Sequence, residues 1–283
     1  MPLEFGTGGW TKKKAVIVVR TYPAPARNGV EVSCTAAIGD GAWLRLFPIP
    51  WRLLPEKKKF HKYEWIEAEI RKASTDTRPE SYNVNLDSLT VLPDTVPVDD
   101  HWKARRALLD PLRRASMCEI DREWQAKKAP TLGFFRPKRI RRLVIEEDPD
   151  GPDWTAEQRA KLRQVMGQGT LWKDEAHAPK EELEKIPYKF IYEFECDDGG
   201  CCGHGMSCTD WEIAQLYRNC RRDHGDKWVE KFRQRAETEM IEKYDTHFYV
   251  GTLHAHPGTW IIVGLFYPLP ASSSEPETLT LGL

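Results

Sequence analysis

The chain of 283 residues has no apolar run approaching the roughly 20 residues that cross a bilayer as a helix. Its first residues, Met1 to Trp10, are glycine-rich and lack the basic-then-apolar pattern of a secretory leader. These absences argue against a membrane partner and point to a cytoplasmic protein. No stretch of the sequence repeats another. An excess of charge is missing too, since 42 basic and 43 acidic residues leave a net charge of −1. Cysteine is scarce, seven in all and two of them adjacent. An odd count with adjacent members suits a disulfide framework poorly and suits metal or redox chemistry better.

What is present is concentrated in one place. Four of the seven cysteines and one histidine fall in the string CDDGGCCGHGMSC, from Cys196 to Cys208. The interleaved glycines let such a loop fold back tightly enough to bring side chains to one point. Cys196, Cys201, Cys202, His204 and Cys208 are the donors that hold a borderline-soft metal in a tetrahedron. Zinc is the expected cofactor, with an iron–sulfur cluster on four thiolates as the lesser alternative. The spacing, C-x4-C-C-x-H-x3-C, matches no standard zinc ribbon. Cys34, Cys118 and Cys220 lie outside the loop and read as small buried hydrophobes.

The near-zero net charge hides an asymmetry. Residues 99–145 carry 13 basic and 6 acidic residues, whereas residues 146–283 carry 15 and 26. A basic middle is the footprint of a polyanion partner, or else a solvated face that pairs with the acidic C-terminal part. Within it, Phe134, Arg136, Lys138, Arg139, Arg141 and Arg142 alternate aromatic and basic side chains. Basic residues bind phosphates and aromatics stack on bases, so these six are the candidate nucleic-acid contacts. Eleven tryptophans add aromatic area for burial, stacking or a protein partner.

Hydrophobic periodicity predicts an α+β protein. Residues 1–97 are β-rich: the run AVIVV from Ala15, the Gly39-Asp40-Gly41 turn and the alternation of Ile66, Ala68 and Ile70 suggest a barrel-like domain. Residues 98–180 read as a basic, helical and irregular linker, with Gly167 to Lys180 irregular. Residues 181–270 read as a β-α-α-β-β unit around the Cys/His metal loop, and 271–283 as a disordered tail. In that unit Thr209-x-x-Glu212 is a capping box. The next helix carries the apolar stripe Val229, Phe232, Ala236, Met240 and Tyr244.

Catalytic candidates are of two kinds. His204 with Asp210 and Glu212 could hold a divalent cation for phosphodiester hydrolysis, although both acids are also what a helix N-terminus favours. His254 and His256 stand two apart on an extended stretch, where they share a face. The string VGTLHAHP, Val250 to Pro257, resembles the HxHP segment of the JAMM metalloproteases, without the downstream Ser and Asp of that family. It also resembles the His-hydrophobic-His of HUH nickases, which would make Tyr217 or Tyr244 the nucleophile. The leading expectation is a zinc-containing nucleic-acid-binding protein with nuclease activity as its enzymatic form. The alternatives are a protein-interaction subunit with a structural zinc and a small-substrate metallohydrolase.

Overall fold

A computed structural model describes residues 9–25, 31–167 and 182–270. The irregular segment expected to end at Lys180 and the tail expected over 271–283 lie largely or wholly outside the described residues. The fold is strand-rich, with two sheets and a few helices. The first sheet contains β1 (Thr11–Arg20), β2 (Ala24–Pro25), β3 (Glu31–Gly39), β4 (Ala42–Ile49), β5 (Glu64–Lys72) and β6 (Ser81–Thr95). After α1 (Asp99–Leu109) the second sheet begins with β7 (Arg113–Arg114). It continues past α2 (Met117–Lys127) with β8 (Leu132–Phe135) and β9 (Arg139–Glu147). Beyond α3 (Ala156–Gly167) come β10 (Tyr188–Glu195), β11 (His204–Cys208) and α4 (Trp211–His224). Helices α5 (Trp228–Arg233) and α6 (Glu239–Glu242), joined by a π turn, lead to β12 (His247–Thr252) and β13 (Trp260–Phe266). The basic stretch expected as a linker therefore supplies three strands of the second sheet.

The two sheets share one pairing order, a repeat that the sequence does not disclose. In the first, the five long strands pair as first–second, second–third, third–fifth, fifth–fourth and fourth–first, which closes a ring. The third–fifth pair, β4 with β6, is parallel and the others are antiparallel. In the second sheet β8 and β9 together take the first place. β9 pairs with β10, β10 with β11, β11 in parallel with β13, β13 with β12, and β12 with β8. Here the chain itself closes the ring, through the three residues between β8 and β9. In both sheets the first strand pairs with the fourth through its early residues and with the second through its late ones.

Side-chain alternation divides the apolar residues into three layers. Ala15, Ile17, Leu44, Leu46, Ile66, Ala68 and Ile70 fill the inside of the first sheet. Phe190, Tyr192, Phe194 and Cys196 of the second pack under Ile213, Tyr217 and Phe232. Trp228 takes the inner place expected for Val229, which is exposed. Between the sheets lies a third layer, in which Val16, Val18, Ala36 and Ile38 meet Leu132, Phe134, Tyr249, Val263 and Phe266. This layer explains the unbroken AVIVV run, because both faces of β1 are covered.

His247 opens β12 against this layer. Its ring stacks on Phe134 at 5.2 Å between centroids, and its Nδ1 donates to the Asp245 carbonyl at 2.9 Å. Burial, reinforced by Arg106 and Arg136 nearby, outweighs the Asp245 contacts and pushes its pKa down to about 4. The unfolded chain therefore binds one more proton here between about pH 4 and pH 6.5. Stability should rise with pH across that window and flatten above it. Urea unfolding at stepped pH should show this slope, reduced in His247→Gln.

Candidate metal centre and the Lys62 ion cluster

Among the described residues one group of donors can hold a metal ion: Cys118, Cys196, Cys201 and His204, whose ligand atoms all lie within 4.8 Å of one another. Cys196 follows β10, Cys201 lies in the turn to β11, and His204 opens β11. Gly203 makes this turn possible with φ +96°, the left-handed region that glycine tolerates. Cys118 comes from a distant part of the chain. Ser116 caps α2 by accepting from the Glu119 amide at 3.0 Å, and that places Cys118 in the first helical turn. A thiolate is favoured there by the helix dipole.

The local contacts suit ligation. Cys201 Sγ accepts from the amides of Cys196 at 3.3 Å and Gly203 at 3.4 Å. Burial raises the Cys201 pKa, but those amides and the adjacent thiols outweigh it and hold the group below the usual thiol range. His204 Nε2 faces Cys118 Sγ at 3.2 Å, and its ring stacks on Phe194 at 5.1 Å. Burial lowers the His204 pKa, which favours the neutral imidazole a metal requires. Burial also raises Cys118 to about 12 and raises Cys196, with the neighbouring thiols adding to the Cys118 shift. Three thiols this close cannot all ionise without a cation among them.

The sequence reading of the loop needs two corrections. Cys202 is exposed, and Cys208 points into the apolar core beneath α4; neither joins the donor group. The adjacent Cys201 and Cys202 face different ways in the turn, and Cys208, on the same face of β11 as His204, lies four residues further on, about 13 Å along the strand. Cys118, read as a buried hydrophobe, takes their place. The available signal was Ser116-x-x-Glu119, a capping pattern that puts Cys118 at a helix start.

The second constellation dissolves into an ion cluster. His204 belongs to the thiol group, apart from Asp210 and Glu212. Asp210, rather than Thr209, caps α4, accepting from the Glu212 amide at 2.6 Å. Its other oxygen accepts from the Leu265 amide at 2.9 Å and from Lys62 Nζ at 3.2 Å. Lys62 also donates to Glu212 at 3.0 Å, and the Tyr267 hydroxyl donates to the same carboxylate at 3.1 Å. Burial opposes the Lys62 charge, yet the two carboxylates hold its pKa well above the ordinary value. An ammonium thus stands where a hydrolytic cation was expected, and it ties the first sheet to the start of α4.

His254 and His256 are exposed in the turn after β12, with His254 Nε2 against the Thr75 carbonyl at 3.2 Å. The basic residues also differ from expectation. Phe134 is 2% exposed and cannot stack on a base. Arg136 pairs with Asp245, Lys138 with Asp197, Arg139 and Arg141 with Glu195, and Arg142 with Glu193. Arg141 is the extra residue of a β-bulge, since Glu193 pairs with Arg142 and Phe194 with Ile140. The bulge lets Arg141 and Arg142, neighbours in sequence, both face outward.

Asp210→Ala should cost about 3–5 kcal/mol, because it leaves Lys62 buried with one half-exposed partner and removes the cap. Glu212→Gln should cost about 1 kcal/mol or less, as its side chain is 44% exposed. Chemical denaturation of both variants checks this order.

Residues 113–280 match the family profile described as "Domain of unknown function (DUF8757)", and residues 11–111 match "Domain of unknown function (DUF8758)". No curated protein matches the chain. Three solved structures are similar over nearly the whole chain. One is described as "Structural mimicry for functional antagonism", with 9% identity over 91% of each chain and a TM-score of 0.33. Another is described as "Structure of murine DNA binding protein bound with ds DNA", with 9% identity over 94% of this chain and 98% of that one, and a TM-score of 0.32. The third, "Crystal structure of the tetrameric p202 HIN2", has 7% identity over 93% and 96% and a TM-score of 0.29. Likeness at these scores carries no functional argument.

Proposed function

The chain belongs to the family described as Domain of unknown function (DUF8757), and from its strand order and donor set we propose that it is a nucleic-acid-binding protein built on two OB-folds and pinned by one structural zinc. The duplicated strand order carries this reading. First–second–third–fifth–fourth–first, with the third–fifth pair parallel, is the order of the OB-fold, a five-stranded Greek-key barrel. That fold binds oligonucleotides and oligosaccharides on the face of its second and third strands. In the second sheet this face is β10 and β11, flanked by β9 with Arg139, Arg141 and Arg142. Their side chains are 64%, 46% and 63% exposed, so their carboxylate pairs contribute about 0–1 kcal/mol each and can be exchanged for phosphates.

The metal reading rests on the donor set. Three thiolates and one imidazole are a common zinc shell. Four protein ligands leave no open position for water, so the ion would fix α2 to the β10–β11 turn rather than activate a nucleophile. The backbone amides on Cys201 Sγ are the outer contacts such a ligand needs. Hydrolysis is the weaker reading because its candidate groups are dispersed over the thiol cluster, the Lys62 cluster and the β12–β13 turn.

Protein purified without chelator should carry about one zinc per chain, one tetrahedral ligand set. Cys118→Ser should lose the metal and melt earlier, whereas Cys202→Ser should keep both properties. Elemental analysis that finds no transition metal in the parent ends this reading.

Binding to single- or double-stranded nucleic acid should weaken steeply with salt. Replacing Arg139, Arg141 and Arg142 with Glu should abolish it in a titration by anisotropy. Equal binding by parent and variant would remove the β9–β11 face from consideration.

A further inference from the structure

Where the two sheets meet, a cavity of about 290 Å³ opens between residues of both. From the first unit it is lined by Arg20, Lys62, Tyr63, Trp102 and Arg105, and from the second by Trp211, Glu212 and Tyr267. The Lys62 charge is met by Asp210 and Glu212. The two arginines are different: neither forms an ion pair among the described residues. Arg20 lies over Trp51 and Trp211, with its guanidinium carbon 3.9 and 4.2 Å from the ring centroids. Its Nε is buried without a hydrogen-bond partner. Arg105 lies over Tyr63 at 3.8 Å and Trp102 at 4.7 Å. Ring faces support a guanidinium but do not neutralise it. Asp210 and Glu212 act on Arg20, and Glu212 on Arg105, but both acids already meet Lys62, so three cations face two carboxylates and an anion would relieve the surplus.

The cavity also has an apolar neighbour. A second space of about 300 Å³ shares Trp211, Glu212, Leu265 and Tyr267 as its wall. Its far side carries Leu216, Met240 and Tyr244, with the amides of Gln215 and Asn219. Arg235 and Glu239, also in its lining, pair with each other at 3.4 Å. A cationic chamber and an apolar, aromatic one thus lie side by side. Two of the cavity aromatics, Tyr63 at φ +69° and Trp102 at φ +63°, hold left-handed backbone conformations that bulky residues rarely adopt. Conformations of this kind are found at ligand sites, where the surrounding fold over-determines them.

We propose that this paired cavity binds a nucleotide, with its phosphate between Arg20 and Arg105 and its base against Trp211, Tyr267, Leu216 and Met240. Arginine suits a phosphate because its planar fork donates two parallel hydrogen bonds. The apolar chamber supplies ring faces, and its amides can meet the polar edge of a base. The site is separate from the outer face of β9–β11 and stands whether or not that face binds a strand.

Tryptophan fluorescence and calorimetry on the full chain test the proposal, because Trp102 and Trp211 report directly on occupancy. Adenosine 5′-monophosphate should bind saturably, and adenosine and inorganic phosphate each about tenfold or more weaker, since each offers half of the contacts. Arg105→Gln and Arg20→Gln should each weaken the mononucleotide about tenfold or more with unchanged melting. Where either variant fails to fold, Arg→Lys at that position replaces it, keeping the charge and losing the fork. Short oligonucleotides with a 5′-phosphate or a 5′-hydroxyl separate the two sources of the ligand. A phosphate-dependent preference that Arg105→Gln removes identifies a strand end; binding of the mononucleotide alone identifies a free nucleotide. Nucleotides that fail to bind at about 1 mM, or variants that bind like the parent, overturn the proposal, as does inorganic phosphate binding as tightly as the mononucleotide.

Discussion

Ala15 and Ile17 on one side of β1, and Val16 and Val18 on the other, are almost wholly buried, so this strand can exist only where two apolar layers meet it. The inner layer belongs to the first sheet. The outer one is completed by Leu132, Phe134, Tyr249, Val263 and Phe266, which come from three strands of the second. The buried Tyr63 and Tyr249 hydroxyls, 3.2 Å apart, satisfy each other across the same seam. Arg45 of β4 reaches across it as well, donating to the Thr131 carbonyl at 2.7 Å. Neither sheet would keep its outward apolar face dry without the other. Lys62, Asp210 and the cavity above them take their positions from this contact.

Charge is handled in three distinct ways around that seam. Lys62 is buried against two carboxylates and serves as a strut. Arg139, Arg141 and Arg142 are exposed and loosely paired with acids of the neighbouring strand. Arg20 and Arg105 lie on aromatic faces and share the acids that pair with Lys62. Coulomb energy differs greatly among these settings, since screening by water falls as burial rises. A count of basic residues therefore says little about which of them are available to a ligand.

Much of the architecture was legible because it follows from period and turn chemistry. The alternation of Ile66, Ala68 and Ile70, and of Phe190, Tyr192 and Phe194, marks strands whose inner faces are buried as expected. The duplicated strand order was not legible, since pairing between distant strands leaves no local trace and the two halves do not resemble each other in sequence. The Cys/His loop pointed to the right place and named three of the four donors. It could not supply Cys118, which arrives through tertiary folding, nor exclude Cys208, which shares a strand face with His204 but lies about 13 Å along it. Phe134 misled because an aromatic beside arginines looks the same whether it faces solvent or the core. Lys62 carried no signal at all, because its role depends on acids about 150 residues away.

The distribution of the thiol cluster along the chain has a consequence for the order of events in folding. Cys196, Cys201 and His204 are near neighbours and can meet an ion early, in a chain that is still largely open. The fourth donor lies on the far side of β8, β9 and α3 in sequence. It arrives only when α2 has docked and the long intervening loop has closed, at an entropic cost that grows slowly with length. Three donors bind a metal loosely and four bind it firmly, so full affinity for an ion would appear only in the assembled unit. An ion held there would be a late lock, one that rewards completion of the second sheet instead of nucleating it.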